Sequence, residues 1–191
     1  MTSAERREQL LDATKEIVDR RGFHAVSIEA VAREAGITRP IVYAHFKDLD
    51  GLLEALVERE GDRALAQIVL PRDLDRDDPR TPLLDAMRVY LHVAHADPAR
   101  WRLVLMAPEG APASLRERIA AGRQEIVGQL AAGLPELLGT SDGSPDPELS
   151  AHMLSALADE NVRLHLADPG RFTEERLVAM SRWFLGRLLG D

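Results

Sequence analysis

Residues 27–46 read SIEAVAREAGITRPIVYAHF, and their pattern is that of two short helices joined by a turn at Gly36. Ile28, Val31, Ala32 and Ala35 give the first helix an apolar face, and Val42 and Phe46, four apart, give one to the second. Ile37 sits in the turn, where it can plug the gap between them. Ser27 is placed to cap the first helix and Thr38 the second. Pro40 falls in the second helix's first turn, where its missing N–H costs nothing. That phase leaves Arg39, Pro40, Tyr43 and Lys47 on the side opposite the apolar pair, with Thr38 and Ile41 flanking. An outward face with a guanidinium, a phenol, an ammonium and a helix amino terminus suits a phosphate-lined groove. A helix of this width fits the major groove of duplex DNA. A plain helical hairpin with a decorated surface has the same spacing, and the order of Gly, Thr, Tyr, His and Phe favours the DNA-binding reading.

Outward from this stretch the period stays helical, and no segment alternates long enough to make a convincing strand. The sequence predicts about nine helices, an all-α chain. The first covers about 3–21, with Leu10, Thr14, Ile17 and Val18 on one face, a capping box from Thr2 and Glu5, and Gly22 as its stop. The pair described above follows, at about 27–35 and 38–46. Asp48 opens a fourth helix that ends near Leu70. The charged, proline-rich stretch 71–82 reads as a surface loop. Thr81 and Pro82 then open a helix to about 96, and Asp97-Pro98 restarts one through Met106. Ser114 and Glu117 cap a helix to about 133, and GTSDGSPD at 139–146 reads as a second loop. Two more helices cover about 147–167 and 173–189. The expected organisation is a helix-turn-helix domain over 1–48 and a helical ligand-binding and dimerisation domain over 49–191.

Composition narrows the function. With 45% apolar residues in 191, the chain can bury a sizeable core. It has no cysteine, which excludes disulfide frameworks and thiolate metal sites. The amino-terminal sequence lacks the apolar run of a signal peptide, and no stretch approaches the ~20 apolar residues of a membrane helix. A soluble, cytoplasmic protein is the expectation. The net charge of −8 argues against a generic nucleic-acid coat, but it is uneven: residues 1–47 carry a net +1 and the rest −9. A duplex would be met by a few aimed groups, with an acidic body pointing away.

Ser27, Ala35-Gly36-Ile37-Thr38, Tyr43-Ala44-His45-Phe46 and Lys47 resemble the DNA-binding domain of the tetracycline-repressor (TetR) family. The family pattern has a hydroxyl residue opening the second helix, an Ala-Gly-aliphatic-Ser/Thr turn, Tyr-x-His/Tyr-Phe and then Lys. The match covers about residues 5–58, and beyond it the likeness lies in length, all-helical character and helix count. The resemblance implies that Ser27, Thr38, Tyr43, His45 and Lys47 contact the sugar-phosphate backbone. It also implies that Arg39, Pro40 and Ile41 face bases, where Arg can read guanine and an apolar side chain can touch a thymine methyl. Many members carry a second Lys two residues after the first. Here Leu49 stands at that position, so Arg33 or Arg6 must compensate or the phosphate grip is weaker.

The carboxy-terminal region points to a partner and a sensor. The last helix is apolar nearly all round, with Leu177, Val178, Met180, Trp183, Phe184, Leu185, Leu188 and Leu189. Such a helix needs cover on every side. A second subunit is the natural cover, with Met180, Trp183, Phe184 and Leu188 in the interface, and the resemblance implies the same homodimer. A family-like pocket would lie among the helices of 82–167. Met87 and Tyr90 are candidates to line it, with Trp101 and Asn161 beside them, although core is the plainer reading for each. Glu160 falls on a wheel amid Leu149, Met153, Ala156, Leu157 and Leu164, where a carboxylate is costly unless paired. A ligand, an arginine across the dimer and a wet edge are three open explanations. His92 and His95 are three apart, but no third ligand is near them in sequence, so two surface histidines are favoured over a metal site.

No GxSxG, HExxH, P-loop or post-strand GxGxxG occurs, and nothing supports catalysis or a cofactor. The sequence thus predicts a ligand-responsive transcriptional regulator, by family habit a repressor. Its partners would be a palindromic duplex operator, a second copy and an unidentified small-molecule effector. The alternative is a DNA-binding regulator with a filled core and no sensor.

Overall fold

Thr2 starts the molecule's first helix as the capping box requires. Its backbone N–H donates to Glu5 Oε2 at 2.7 Å, and Glu5 N–H donates back to Thr2 Oγ1 at 3.2 Å. The computed structural model describes residues 1–68, 80–106, 113–135 and 145–189. Among these residues there is no strand, and nine α-helices follow in order. They are α1 (Ser3–Arg21), α2 (Ile28–Glu34), α3 (Arg39–Tyr43), α4 (Leu49–Gln67) and α5 (Arg80–Ala96), then α6 (Pro98–Leu105), α7 (Ala113–Gly133), α8 (Pro147–Ala167) and α9 (Glu174–Leu189). A 3₁₀ turn at Phe23–Ala25 links α1 to α2. The stops and caps explain most boundaries. Gly22 ends α1 at φ 80° and Gly36 makes the α2–α3 turn at φ 66°, a region that side-chain-bearing residues rarely enter. Asp48 Oδ1 accepts from Gly51 N–H at 2.8 Å, and Asp146 Oδ1 accepts from Glu148 and Leu149 N–H at 2.9 and 3.0 Å.

Three boundaries differ from the sequence reading. α7 already includes Ala113, so Ser114 lies inside the helix rather than capping it. α5 begins at Arg80, so Thr81 and Pro82 lie inside its first turn rather than opening it. α3 closes at Tyr43, although Phe46 N–H still donates to Val42 carbonyl at 2.9 Å and so carries the turn forward. Most of the two expected loops, 71–82 and 139–146, lies outside the described residues.

The chain packs as two compact units, one of residues 1–64 with 99–120 and one of 65–98 with 121–191. This partition does not follow the expected functional division at residue 48. The reason is the side chains of α4: Leu52, Leu56 and Val57 are buried in one cluster with Leu10, Ile17, Val31 and Val42, so most of α4 belongs with α1–α3. The second unit is built on α5, which packs against α8 and α9. Leu84, Leu91, Ala94, Val162, Leu177 and Leu185 are among the residues it buries.

Glu60 is the unexpected member of the first unit's interior. Its side chain is wholly buried. Oε2 accepts from Arg100 Nε at 2.8 Å, Oε1 accepts from Arg59 Nε at 2.9 Å, and Lys15 Nζ stands 3.9 Å from the carboxylate. Arg59 reaches on to Glu8 at 3.0 Å and Asp12 at 2.9 Å, and Arg63 reaches Glu8 at 2.7 Å. Slight burial would raise the Glu8 carboxyl, but Arg59 and Arg63 hold it below the usual carboxylate range. The network joins α1, α4 and α6 through charge. Removing one partner of a buried pair leaves the others uncompensated, at about 3–5 kcal/mol. Glu60→Ala should therefore lose stability of that order in urea unfolding. A loss under ~1 kcal/mol would show that Lys15, Arg59 and Arg100 are solvated without it.

Candidate functional site

α3 is five residues long and holds its place through side chains rather than its own hydrogen bonds. Val42 and Phe46 are buried in the first unit's core. Arg7 of α1 lays its guanidinium over the Phe46 ring at 4.4 Å, and its Nη1 donates to the His45 carbonyl at 3.5 Å. With that side anchored, the other faces water. Arg39, Pro40, Ile41, Tyr43 and Lys47 are all exposed, Tyr43 at 55%. His45 is half-buried.

The two capping hydroxyls differ. Ser27 Oγ accepts from Ala30 N–H at 3.1 Å and so completes the amino terminus of α2. Thr38 stands at the N-cap of α3 with an extended backbone, but its side chain makes no capping bond and is exposed. Arg39 pairs with Glu29 at 3.1 Å across α2 and α3, both side chains well exposed. Lys47 and Arg33 are exposed and make no ion pair among the described residues, whereas Arg6 donates to Gln9 Oε1 at 2.5 Å. Leu49 is packed against the core.

In the second unit, Leu83, Met87, Tyr90, Ile126, Leu130, Leu154, Ser155, Leu157 and Asp159 are among the residues that line a mainly apolar cavity of about 90 Å³. Its polar part is a linked set. Tyr90 Oη donates to Asp159 Oδ1 at 3.0 Å, and the Arg123 guanidinium donates to Asp159 Oδ2. Burial raises the Asp159 carboxyl, and Arg123 and Tyr90 pull it only part of the way back. Burial, with Asp159 beside it, also pushes the Tyr90 phenol well above its ordinary value.

A model of the bacterial regulatory proteins of the tetR family matches residues 10–56, from Leu10 of α1 to Leu56 of α4. The HTH-type transcriptional activator FasR of Mycolicibacterium smegmatis is 30% identical over 100 residues, which cover 52% of this chain and 45% of its own. A TetR-family transcriptional regulator of Streptomyces coelicolor, solved as a crystal structure, is 27% identical. It superposes with a TM-score of 0.72 over 98% of this chain and 82% of its own. Residues 10–56 thus carry the amino-terminal domain of the tetR family of bacterial regulatory proteins. The family is one of regulatory proteins rather than enzymes. A SmeT–triclosan complex, 22% identical, shares the fold with a TM-score of 0.73 over 98% of this chain and 93% of its own. The chain spans between 25% and 64% of the length of the curated relatives it matches first.

Placed on this TetR-family fold, the residues singled out for a pocket separate. Met87 and Tyr90 line the cavity. Asn161 is buried behind that wall, with Nδ2 2.9 Å from Ser181 Oγ and 3.8 Å from Met87 Sδ. Two residues need correction. Trp101 is wholly buried, belongs to the first unit and is not among the residues that line this cavity. Glu160 is exposed and pairs with Arg163 at 3.3 Å. The stripe that it shares, with Leu149 at 57% and Met153 at 60% exposure, is an outer face of α8 and not a core face. The residues missed were Asp159 and Ser155, which follow the buried phase of Ala151, Leu154 and Val162. That spacing was the available signal. On α9, Leu177, Val178, Ser181 and Leu185 face inward, Met180 and Trp183 are exposed, and Phe184 and Leu188 are half-buried. His92 is exposed, and His95 Nδ1 lies 3.2 Å from His165 Nε2. Among the described residues no cluster of three His, Cys, Asp or Glu could hold a metal, and no helix is long and apolar enough to cross a membrane.

The two N-cap hydroxyls therefore differ in what they do for the fold. Ser27→Ala should cost about 1 kcal/mol of stability because a cap is lost. Thr38→Ala should stay within about 0.5 kcal/mol. Equal losses in chemical unfolding would show that both hydroxyls act as caps.

Proposed function

We propose that the chain is a ligand-responsive transcriptional regulator that binds a near-palindromic duplex operator as a homodimer. The observation that carries this reading is the outward face of α3. With Val42 and Phe46 buried, Arg39, Tyr43 and Lys47 are presented to solvent on a helix narrow enough for the major groove. Ser27, Thr38, Tyr43, His45 and Lys47 are assigned to the sugar-phosphate backbone, and Arg39, Pro40 and Ile41 to base edges. Arg33 supplies a further free cation near the site and stands in for the lysine that Leu49 replaces. The pairing of Arg39 with Glu29 is no obstacle, because exposed ion pairs are worth only ~0–1 kcal/mol and exchange readily.

The homodimer is supported by the outer faces of α8 and α9. Leu149, Met153, Met180 and Trp183 are all more than half exposed in the single chain. Exposed apolar side chains that form a contiguous patch mark an interaction site. Met180, Trp183, Phe184 and Leu188 are assigned to the interface, and Glu160 lies on the same side of α8 as Met153. The functional division is a DNA-binding domain over 1–48 and a sensor and dimerisation domain over 49–191.

The cavity supports a sensor over a filled-core regulator, and the triclosan complex of SmeT shows a small molecule bound to a protein of this fold. Repression follows if the effector binds the free form better than the operator-bound form and so releases DNA. A coupling of about 1–3 kcal/mol suffices for a 5–150-fold change. Two substitutions test the assigned face in duplex titrations over a range of salt. Lys47→Ala should weaken all sequences alike and lower the salt slope by about one. Arg39→Ala should relax sequence preference, at about 1–3 kcal/mol. Wild-type binding by both variants would remove this face from the interface.

A further inference from the structure

The cavity of the second unit has a polar corner whose groups are unequally satisfied. Asn161 donates to Ser181 Oγ at 2.9 Å and Ser181 donates to the Leu177 carbonyl at 3.0 Å, so that pair is closed. Ser155 differs. It lines the cavity, it is only 7% exposed, and its hydroxyl has no hydrogen-bond partner among the described residues. The hydroxyl is not among the enclosed polar atoms that lack a partner and opens onto the cavity, so a ligand that displaces water there must supply a hydrogen-bonding group in its place. Ser155 and Asp159 are four apart on α8 and therefore lie one above the other on the same wall. Such positions are about 5–6 Å apart at Cβ. A single hydroxyl group placed between them can therefore accept from one and donate to the other.

Charge restricts the class further. Asp159 already accepts from Arg123 and Tyr90. A cationic ligand would have to displace a guanidinium and give up its own water inside apolar walls. An anionic ligand would meet the Asp159 carboxylate. A neutral donor meets neither penalty. The rest of the wall, with Leu83, Ile126, Leu130 and Leu157, is mainly apolar and suits a hydrocarbon body.

We propose that this cavity takes a neutral, compact apolar compound bearing a hydroxyl, an alcohol or a phenol. The hydroxyl accepts from Ser155 Oγ–H and donates into the Tyr90–Asp159 pair. This rests on the reading of the cavity as the effector site. The raised carboxyl of Asp159 agrees with it, because an under-stabilised buried carboxylate gains from one more donor.

The test is calorimetric titration of the full chain with four matched probes: propylbenzene, para-propylphenol, phenylpropylamine and phenylpropionate. The phenol should bind roughly three- to tenfold tighter than the hydrocarbon, the ratio that one neutral hydrogen bond supplies. The amine and the carboxylate should bind more weakly than the phenol. Ser155→Ala should abolish the preference for the phenol and leave hydrocarbon binding in place, with Tyr90→Phe as a second variant that keeps the ring. Equal affinities for phenol and hydrocarbon, or a tighter amine or carboxylate, would overturn the hydroxyl class while leaving the cavity a binding site. A preference that survives both substitutions would also overturn it. Binding by none of the four would overturn the effector-site reading together with this inference.

Discussion

Burial of Val42 and Phe46 is the constraint on which the interface depends. A helix of five residues is far below the ~12–15 that an isolated helix needs in water, so α3 exists only because the core of the first unit holds it. Leu10 and Ile17 of α1, Val31 of α2 and Leu52 and Leu56 of α4 close around Val42. The cation of Arg7 covers Phe46 from outside. Fixing two residues four apart fixes the rotation of the whole helix. The direction of Arg39, Tyr43 and Lys47 is then a consequence and needs no separate cause. The left-handed turn at Gly36 does the remaining work, since it sets where α3 begins relative to α2.

The two units use charge in opposite ways. In the first, Glu60 is surrounded by Arg59, Arg100 and Lys15, and the carboxylate is a fastener between helices. In the second, Asp159 has one guanidinium and one phenol, and part of the wall around it is left unfilled. That cavity, with the Ser155 hydroxyl on its wall, has room for an added molecule to alter the packing. An effector acts only through unequal affinity for two conformations, so a molecule in this cavity would have to fit one packing of the second unit better than another.

Much of this was legible in the sequence because local chemistry decided it. Thr2, Ser27, Asp48, Asp146, Gly22 and Gly36 announce helix ends, and the Val42–Phe46 spacing announces the phase of α3. What was not legible depended on which of two apolar faces is turned inward. On α8 the stripe through Leu149, Met153 and Ala156 is as apolar as the stripe through Ala151, Leu154 and Val162. The choice between them shifts the interesting carboxylate from Glu160 to Asp159. That choice is made by α5 and α9, which no window of α8 contains. Trp101 failed for the same reason, since α6 is sequence-adjacent to α5 but packs in the other unit. The Glu60 network, which joins positions 15, 60 and 100, has no local trace at all.

The central claim is that α3 reads duplex DNA from each half of a symmetric pair. The most direct measurement is selection of bound duplexes from a random pool by the full chain at physiological salt. The account predicts enrichment of an inverted repeat whose half-sites are centred about one helical turn, ~34–36 Å, apart or slightly more. A pool that remains random, or that yields a single unpaired element, would contradict it.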